Sequence, residues 1–350
     1  MHVGPGADRR RIALHLKGAR KLSIDQRGQL IANTGHGDVA FSAPIAFQII
    51  AGQRRDIAVA YRLSRTGYRF DVGAYDQRHE LVIDPILQST YAGGGGTNFA
   101  RAMVRDSAGN ILVAGTTGSL DFPGTTGGAQ PSYGGSFYMI VLRFKRSPTT
   151  ILLCTYLGGD GSDDANSIAV DAAGNVIIAG EAGSNFPGTA GSAQPTWGGS
   201  QDMVVVRLNA TLTTLVRSTY LGGANSEGAQ GLTLDSAGNI FVVGRTGSTD
   251  FPGVSGGAQA TKGSGNDLVI AKLNSGLTTL IQATYFGGSG AEGELCAITV
   301  DESDNVLIAG ATSSAAMAGF AGGAQSSYAG GGGDAVIAKF SNALTSLIGA

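Results

Sequence analysis

The sequence is poor in the residues that most often announce chemistry. It has two cysteines in 350 residues, Cys154 and Cys296, too few for a disulfide scaffold and without zinc-type spacing. Cys154 takes a slot held elsewhere by Ser89, Ser218 and Ala283, so both thiols are expected to be core side chains rather than a bridge. Histidine is confined to positions 2, 15, 36 and 79, which leaves the rest of the chain without an imidazole base or metal ligand. No G-x-S-x-G elbow occurs, and no glycine-rich stretch leads from a strand into a helix as a phosphate loop does. Proline is scarce at 9 residues, which excludes a collagen-like or Pro-rich linker composition. No apolar run approaches the ~18 residues of a membrane span. The first ten residues, MHVGPGADRR, hold no hydrophobic stretch of a secretory signal. Membrane insertion is therefore not expected, and neither is a signal peptide in this chain.

Glycine is abundant: 57 residues, about 16% against a usual ~7%. With 42% hydrophobic and 14% charged residues, the chain can bury a core. Glycine among short apolar runs points to many tight turns joining short strands. The net charge of −2 is unevenly placed, with residues 1–88 at +5 and residues 89–350 at −7. The basic part begins with Arg9, Arg10 and Arg11 but has no interleaved aromatics. A solvated strand edge explains it better than nucleic acid does, and the acidic remainder opposes nucleic acid and anionic membranes alike.

The dominant feature is a repeat. Thr155–Gly180 returns at Thr219–Gly244 and Thr284–Gly310, and more loosely at Thr90–Gly115, with Tyr91, Tyr156, Tyr220 and Tyr285 spaced 65, 64 and 65 residues apart. Each copy carries four apolar runs, in the second copy Ser167–Asp171, Val176–Gly180, Met203–Leu208 and Thr214–Leu221. Runs one and two flank a turn such as Asp171–Asn175, where Asp bonds its own backbone and Gly takes a left-handed conformation. The fourth copy has Asp304 in that glycine slot and should have the weakest turn. Run three is apolar on both faces and ends in one cation: Arg143, Arg207, Lys272 or Lys339. Four strands linked as consecutive hairpins form the meander of a β-propeller blade. The expected fold is all-β, with four blades over residues 87–350, in copies at about 90–154, 155–218, 219–283 and 284–350. A small β-sandwich-like domain precedes them over residues 1–86. In that domain alternation marks strands at Arg11–Leu16, Lys21–Ile24, Asp56–Tyr61 and Tyr68–Val72.

The pattern TYLGG…D-x-A-G-N…FPG…GGAQ…D-x-V-x-(R/K)-L-N resembles the bacterial β-propeller repeat family abbreviated SBBP. The segment with Asp71–Asp76 and Leu81–Pro85 is similar to the domain that often precedes those repeats. The resemblance implies a secreted or cell-surface bacterial propeller and carries no catalytic residues. Its name implies seven blades, whereas four copies stand here. Leu87–Gly93 is a spare fourth strand ahead of the first blade; pairing into the last blade, it would close a ring of four, and otherwise the arc stays open. Leu344–Ala350 reads as the start of an element seen complete at Leu277–Gly287, so a longer parent chain with other domains is expected.

In a meander, turns one–two and three–four share one face, while connections two–three and blade-to-blade share the other. Connections of about 20 residues, such as Glu181–Asp202, often carry function. They hold Phe122, Phe186 and Phe251, each before Pro-Gly, and Tyr133, Trp197 and Tyr328 at one slot, where the third copy has Lys262. These aromatics read either as a platform for a sugar ring or protein partner or as staples holding each loop to a neighbouring blade. The repeated Gln130, Gln194, Gln259 and Gln325 fit a buried glutamine bonding loop backbone. Asp160, Asp163 and Asp164 gather in one connection, Glu227 in the next, and Glu292 and Glu294 in the last. Hard oxygens in a loop suit Ca²⁺, but the EF-hand spacing is missing, and a solvated acidic rim is the other reading. The expected function is a non-enzymatic module that binds a glycan or protein through the long-loop face. A spacer in a larger surface protein is the alternative, and a carbohydrate-active enzyme with two facing acids is a third reading.

Overall fold

The computed structural model describes residues 2–7, 12–34, 37–64, 67–84, 90–145, 150–293, 296–320 and 323–349. Its regular elements are all strands, and the chain divides after Tyr91 into two compact units. No helix among the described residues is long and apolar enough to cross a membrane.

The first unit holds three antiparallel sheets. His2–Val3, Leu81–Asp84, Ile45–Ile50 and Gln53–Ile57 form the first, in that order. Ala13–Leu14, Gly67–Val72 and Val59–Ser64 form the second; Ala19–Ile24, Leu30–Thr34 and Gly37–Phe41 form the third. Leu30, Tyr61, Tyr68, Phe70, Leu81 and Ile83 lie in one buried cluster. The run Asp56–Tyr61, expected as one strand, breaks at Ala58. Gln53–Ile57 pairs with Ile45–Ile50, whereas Val59–Ser64 pairs with Gly67–Val72. At the break the Ala58 carbonyl accepts from Gly73 N at 2.7 Å, so the chain changes sheets without losing its alternation. Arg9, Arg10 and Arg11 lie outside the described residues.

The second unit consists of four antiparallel four-stranded meanders, the blades. Blade 1 is Asn98–Arg105, Ile111–Thr117, Tyr138–Phe144 and Ile151–Leu157. Blade 2 is Asp164–Val170, Val176–Ala182, Asp202–Leu208 and Leu215–Leu221. Blade 3 is Glu227–Leu234, Ile240–Thr246, Asp267–Leu273 and Leu280–Phe286, and blade 4 is Ala297–Val300, Val306–Thr312, Asp334–Phe340 and Leu347–Gly349. The T-Y-x-G-G motif therefore ends one sheet and leads to the next rather than opening a blade. The expected spare strand finds no support in its described part: residues 90–93 carry no strand, while residues 85–89 lie outside the described set.

Strands two and three of blades 2 and 3 are buried on both faces because each of these blades lies between two neighbours. Met139 and Val141 of blade 1 join Ile178, Val204 and Val206 of blade 2 in one buried cluster. Met203 and Val205 of blade 2 join Val242, Val269 and Ala271 of blade 3, and Leu268 and Ile270 of blade 3 join Ile308, Val336 and Ala338 of blade 4. Burial of such side chains contributes about 1.5–3 kcal/mol each.

The turn face is tied by a repeated clip. Asp171 Oδ1 accepts from Asn175 N at 2.8 Å, and its Oδ2 faces Arg207 Nη2 at 2.7 Å. The same ion pair recurs as Asp106–Arg143, Asp235–Lys272 and Asp301–Lys339. The cation also reaches the next blade: Arg143 Nη1 donates to Ala210 O at 3.0 Å, Arg207 to Ser275 O, and Lys272 Nζ to Asn342 O at 3.3 Å. Burial pushes the Asp106 carboxyl upward, but bonds from Asn110 and Arg143 outweigh it and hold it below the usual range. Asp304 keeps the glycine-type turn with φ at 59°, and its carboxylate compensates by accepting from Ser236 N at 3.0 Å in blade 3.

A β-bulge in strand one completes the repeat. The ladder with strand two slips between Ala100 and Ala102, between Ala165 and Ser167, and between Ala229 and Gly231. The extra residues are Arg101, Asn166 and Gln230. Asn166 Nδ2 donates to Ala229 O at 2.9 Å, and Gln230 Nε2 to Gly293 O at 2.9 Å, each on the following blade. The bulge thus aims a polar side chain at the next inner strand.

Candidate functional site

The long-loop face is built around the repeated tyrosine. Tyr156 Oη donates to Ser119 O at 2.9 Å and accepts from Phe122 N at 3.0 Å. Tyr220 repeats this with Gly183 O and Phe186 N, and Tyr285 with Ser248 O and Phe251 N. Each phenol fastens the start of a two–three connection. Its far end is fastened by the glutamine: Gly158 N donates to Gln130 Oε1 at 3.1 Å, and Gly222 and Gly287 do the same to Gln194 and Gln259. The loop then bonds the connection leading to the next blade, with Glu227 N donating to Gln201 O and Glu292 N to Asn266 O, both at 2.7 Å.

Between these fastened loops lies a polar cleft of about 450 Å³, lined by Ser200, Ala224, Asn225, Ser226, Arg245, Gly247 and Asn266. Arg245 and Asn266 also border a second cleft of about 190 Å³ toward blade 4. Arg245 follows the end-glycine of strand two, the slot that holds Thr116, Glu181 and Ala311 in the other blades. It is exposed and makes no ion pair within 4 Å among the described residues. Glu181 approaches it across Gly228, where a β-carbon would stand 2.6 Å from Glu181 Oε2 and 3.5 Å from Arg245 Nε. Burial pushes the Glu181 carboxyl up and Asp164 adds to the rise, while Arg245 and Arg101 oppose it. The result is a hydroxyl- and amide-lined cleft with one free guanidinium, suited to bidentate recognition of a carboxylate or sulfate.

A model of the SBBP family, described as a beta-propeller repeat, matches residues 154–187 and 216–252. The two matched stretches each run from the last strand of one blade into the first two strands of the next. A domain of unknown function, DUF7948, matches residues 1–86 ahead of them. No curated protein matches the chain. Solved structures similar to it include a protein of unknown function from Dyadobacter fermentans, 11% identical, covering 86% of this chain and 78% of that one at a TM-score of 0.36. A PL25 ulvan lyase is 13% identical over 97% of this chain and 71% of that one, also at 0.36. A subtype N10 neuraminidase-like protein of A/little yellow-shouldered bat/Guatemala is 11% identical over 89% and 94%, at 0.33.

Within the four blades the six expected aromatics separate into two groups. Phe122, Phe186 and Phe251 are buried under their loops and offer no face to a ligand. Tyr133 and Tyr328 are half-buried and tie their own loops, donating to Ser136 O and, at 2.9 Å, to Gly331 O. Lys262, the odd member, makes the same bond to the carbonyl three residues on, Gly265 O. In three of the four blades this slot holds a long side chain with a donor at its tip, which explains why lysine can replace tyrosine. Trp197 makes no such bond and stands 41% exposed, three residues before the cleft residue Ser200.

The acids of the connection before blade 2 are engaged in local hydrogen bonds. Asp160 accepts from Asn185 Nδ2 at 2.6 Å, Asp164 from Thr116 Oγ1, and Asp163 from Gly159 N at 3.0 Å. No group of three or more His, Cys, Asp or Glu suited to a metal occurs among the described residues. Glu294 lies outside them. Asp163, Asp202 and Asp267 are fully buried, and the Oδ1 of each lacks a hydrogen-bond partner among the described residues. Burial, the largest cause, pushes Asp163 up to about 7 and Asp202 and Asp267 up to about 6. Both cysteines are free, and burial pushes both thiols up to about 12. Arg245 escaped the sequence reading because it occurs once in a slot that changes with every copy.

Proposed function

We propose that the SBBP unit is a binding module of a bacterial cell-surface or secreted protein, and that its long-loop face takes a carbohydrate in the cleft at Arg245. The observation that carries this reading is the convergence of the unpaired guanidinium with Asn225, Asn266, Ser200 and Ser226 in one open cleft. Hydroxyls and amides match sugar hydroxyls, Arg245 suits an acidic substituent, and Trp197 adds an exposed ring for stacking. An enzyme reading would draw on Asp164 and Glu181, which face each other across the ladder of blade 2. Neither lines the cleft, and Asp164 is engaged by Thr116, so binding is the reading we take.

The test is a glycan array probed with the wild-type chain, Arg245→Ala, and Ser236→Ala on the turn face. Arg245→Ala should weaken retention of the hit at least about tenfold, the effect of losing a charge-assisted bidentate bond. Ser236→Ala should leave it unchanged. An array without hits, or a hit indifferent to Arg245, would leave the spacer role as the better account.

A further inference from the structure

A row of side chains crosses blades 1 to 3 at the long-loop end of their inner strands. The ladder pairs Phe99↔Thr116, Asp164↔Glu181 and Gly228↔Arg245 hold the same place in successive blades. The strand-two member of each pair lies over strand one of the next blade. Thr116 Oγ1 donates to Asp164 Oδ1. Glu181 lies over Gly228 and Arg245 over Gly293, where added β-carbons would stand 2.6 Å from Glu181 Oε2 and 2.7 Å from Arg245 Cβ. Glycine at those two places is what admits the larger side chains.

The strand-one bulge brings a second cation to the row. In blades 2 and 3 its residue, Asn166 or Gln230, donates to a carbonyl of the following blade. In blade 1 its residue is Arg101, which is exposed and makes no hydrogen bond or ion pair among the described residues. The Arg101 guanidinium stands 5.4 Å from the ring centroid of Phe99, itself 50% exposed. Arg101 and Arg245 both favour the ionised Glu181, against burial and Asp164, yet no ion pair within 4 Å joins either to it among the described residues. From blade 1 to blade 3 the row therefore reads positive, negative, positive, with an exposed aromatic at its first end.

That order is complementary to a chain that is acidic, neutral and acidic in turn. Resting on the carbohydrate reading of the Arg245 cleft, we propose that the ligand is an oligosaccharide of alternating acidic and neutral sugars, with one acidic group on Arg245, a neutral sugar donating hydroxyls to Glu181, and a second acidic group on Arg101 beside Phe99. Stacked sheets lie ~10 Å apart, so reaching from blade 1 to blade 3 takes an oligosaccharide rather than a single sugar. A glycan acidic at every sugar would set a like charge against Glu181 and is selected against.

The test is titration calorimetry with three probes: a hyaluronan hexasaccharide, in which acidic and neutral sugars alternate; hexagalacturonate, acidic at every sugar; and a hyaluronan disaccharide, with a single carboxylate. The hyaluronan hexasaccharide should bind at least about tenfold more tightly than either of the others. Arg101→Ala and Arg245→Ala, both at exposed side chains, should each weaken it about tenfold. Glu181→Gln should bring the two hexasaccharides within about threefold of each other. Binding that falls with Arg245→Ala but ignores Arg101→Ala overturns the proposal and leaves the Arg245 cleft standing. A Glu181→Gln variant that keeps the full preference overturns the place given to the neutral sugar. A chain that binds none of the probes overturns the proposal, and the glycan array then decides the cleft on its own.

Discussion

Gly180→Ala should cost the second unit about 4 kcal/mol or more, while Gly310→Ala, at the matching place in blade 4, should change its stability by less than about 1 kcal/mol. The contrast comes from the bulge. The slip between Ala165 and Ser167 carries strand one over strand two, so that a β-carbon on Gly180 would stand 1.8 Å from Asp164 O and 2.8 Å from Asp164 C. Those are backbone atoms inside a ladder, and no side-chain rotation relieves the overlap. Gly115 and Gly244 meet Phe99 O at 1.8 Å and Gly228 O at 2.0 Å. Blade 4 has one more residue between Glu292 and its turn, its first ladder runs evenly from Ala297↔Ala309 to Val300↔Val306, and among the described residues Gly310 meets nothing closer than 3.4 Å. Urea unfolding of the two variants would check this. Equal losses would show that the glycine is retained for a reason other than the bulge.

The second large effect is a dependence on pH. Asp163 has its carboxyl raised from 3.8 to about 7, chiefly by burial. The folded chain therefore holds this proton over a range in which the unfolded chain has released it. The associated stability is fully present below about pH 4 and is lost as pH rises through 7. Once ionised, the group costs the fold about 4 kcal/mol. Asp202 and Asp267, raised to about 6, act in the same direction. Blade 1 shows how asparagine fits the slot: Asn98 accepts from Thr117 Oγ1 at 2.6 Å and donates to Gly96 O at 2.7 Å. Asp163→Asn should accordingly raise stability at pH 8 by about 2 kcal/mol or more and leave it nearly unchanged at pH 4. Calorimetry at the two pH values tests it; an equal gain at both would mean that ionisation of Asp163 is not the penalty.

The sequence made the blades legible because each depends on short-range pattern. Four apolar runs, an Asp–Gly–Asn turn and a 65-residue spacing needed no tertiary information. The strand starting at Asp164 rather than Ser167, the bulge at Asn166 and the break at Ala58 were not legible, since each is set by which neighbouring strand the backbone meets. The conserved-looking positions of the repeat proved structural: Tyr156 holds a loop, Gln130 holds its other end, and Arg207 clips one blade to the next. The aromatic slot misled in part, because Tyr133 and Lys262 share a hydrogen-bonding tip rather than a ring face. The positions that carry the proposed function, Arg245, Asn225 and Asn266, are ones at which the copies differ, and periodicity gives no signal there.

Hydrogen exchange followed by mass spectrometry, with and without the strongest glycan from the array, tests the central claim most directly. Binding at the Arg245 cleft predicts protection confined to residues 198–202, 223–228, 245–247 and 264–267, on the long-loop face. Protection centred on the turns at 171–175 and 235–239, with none at 245–247, would contradict it.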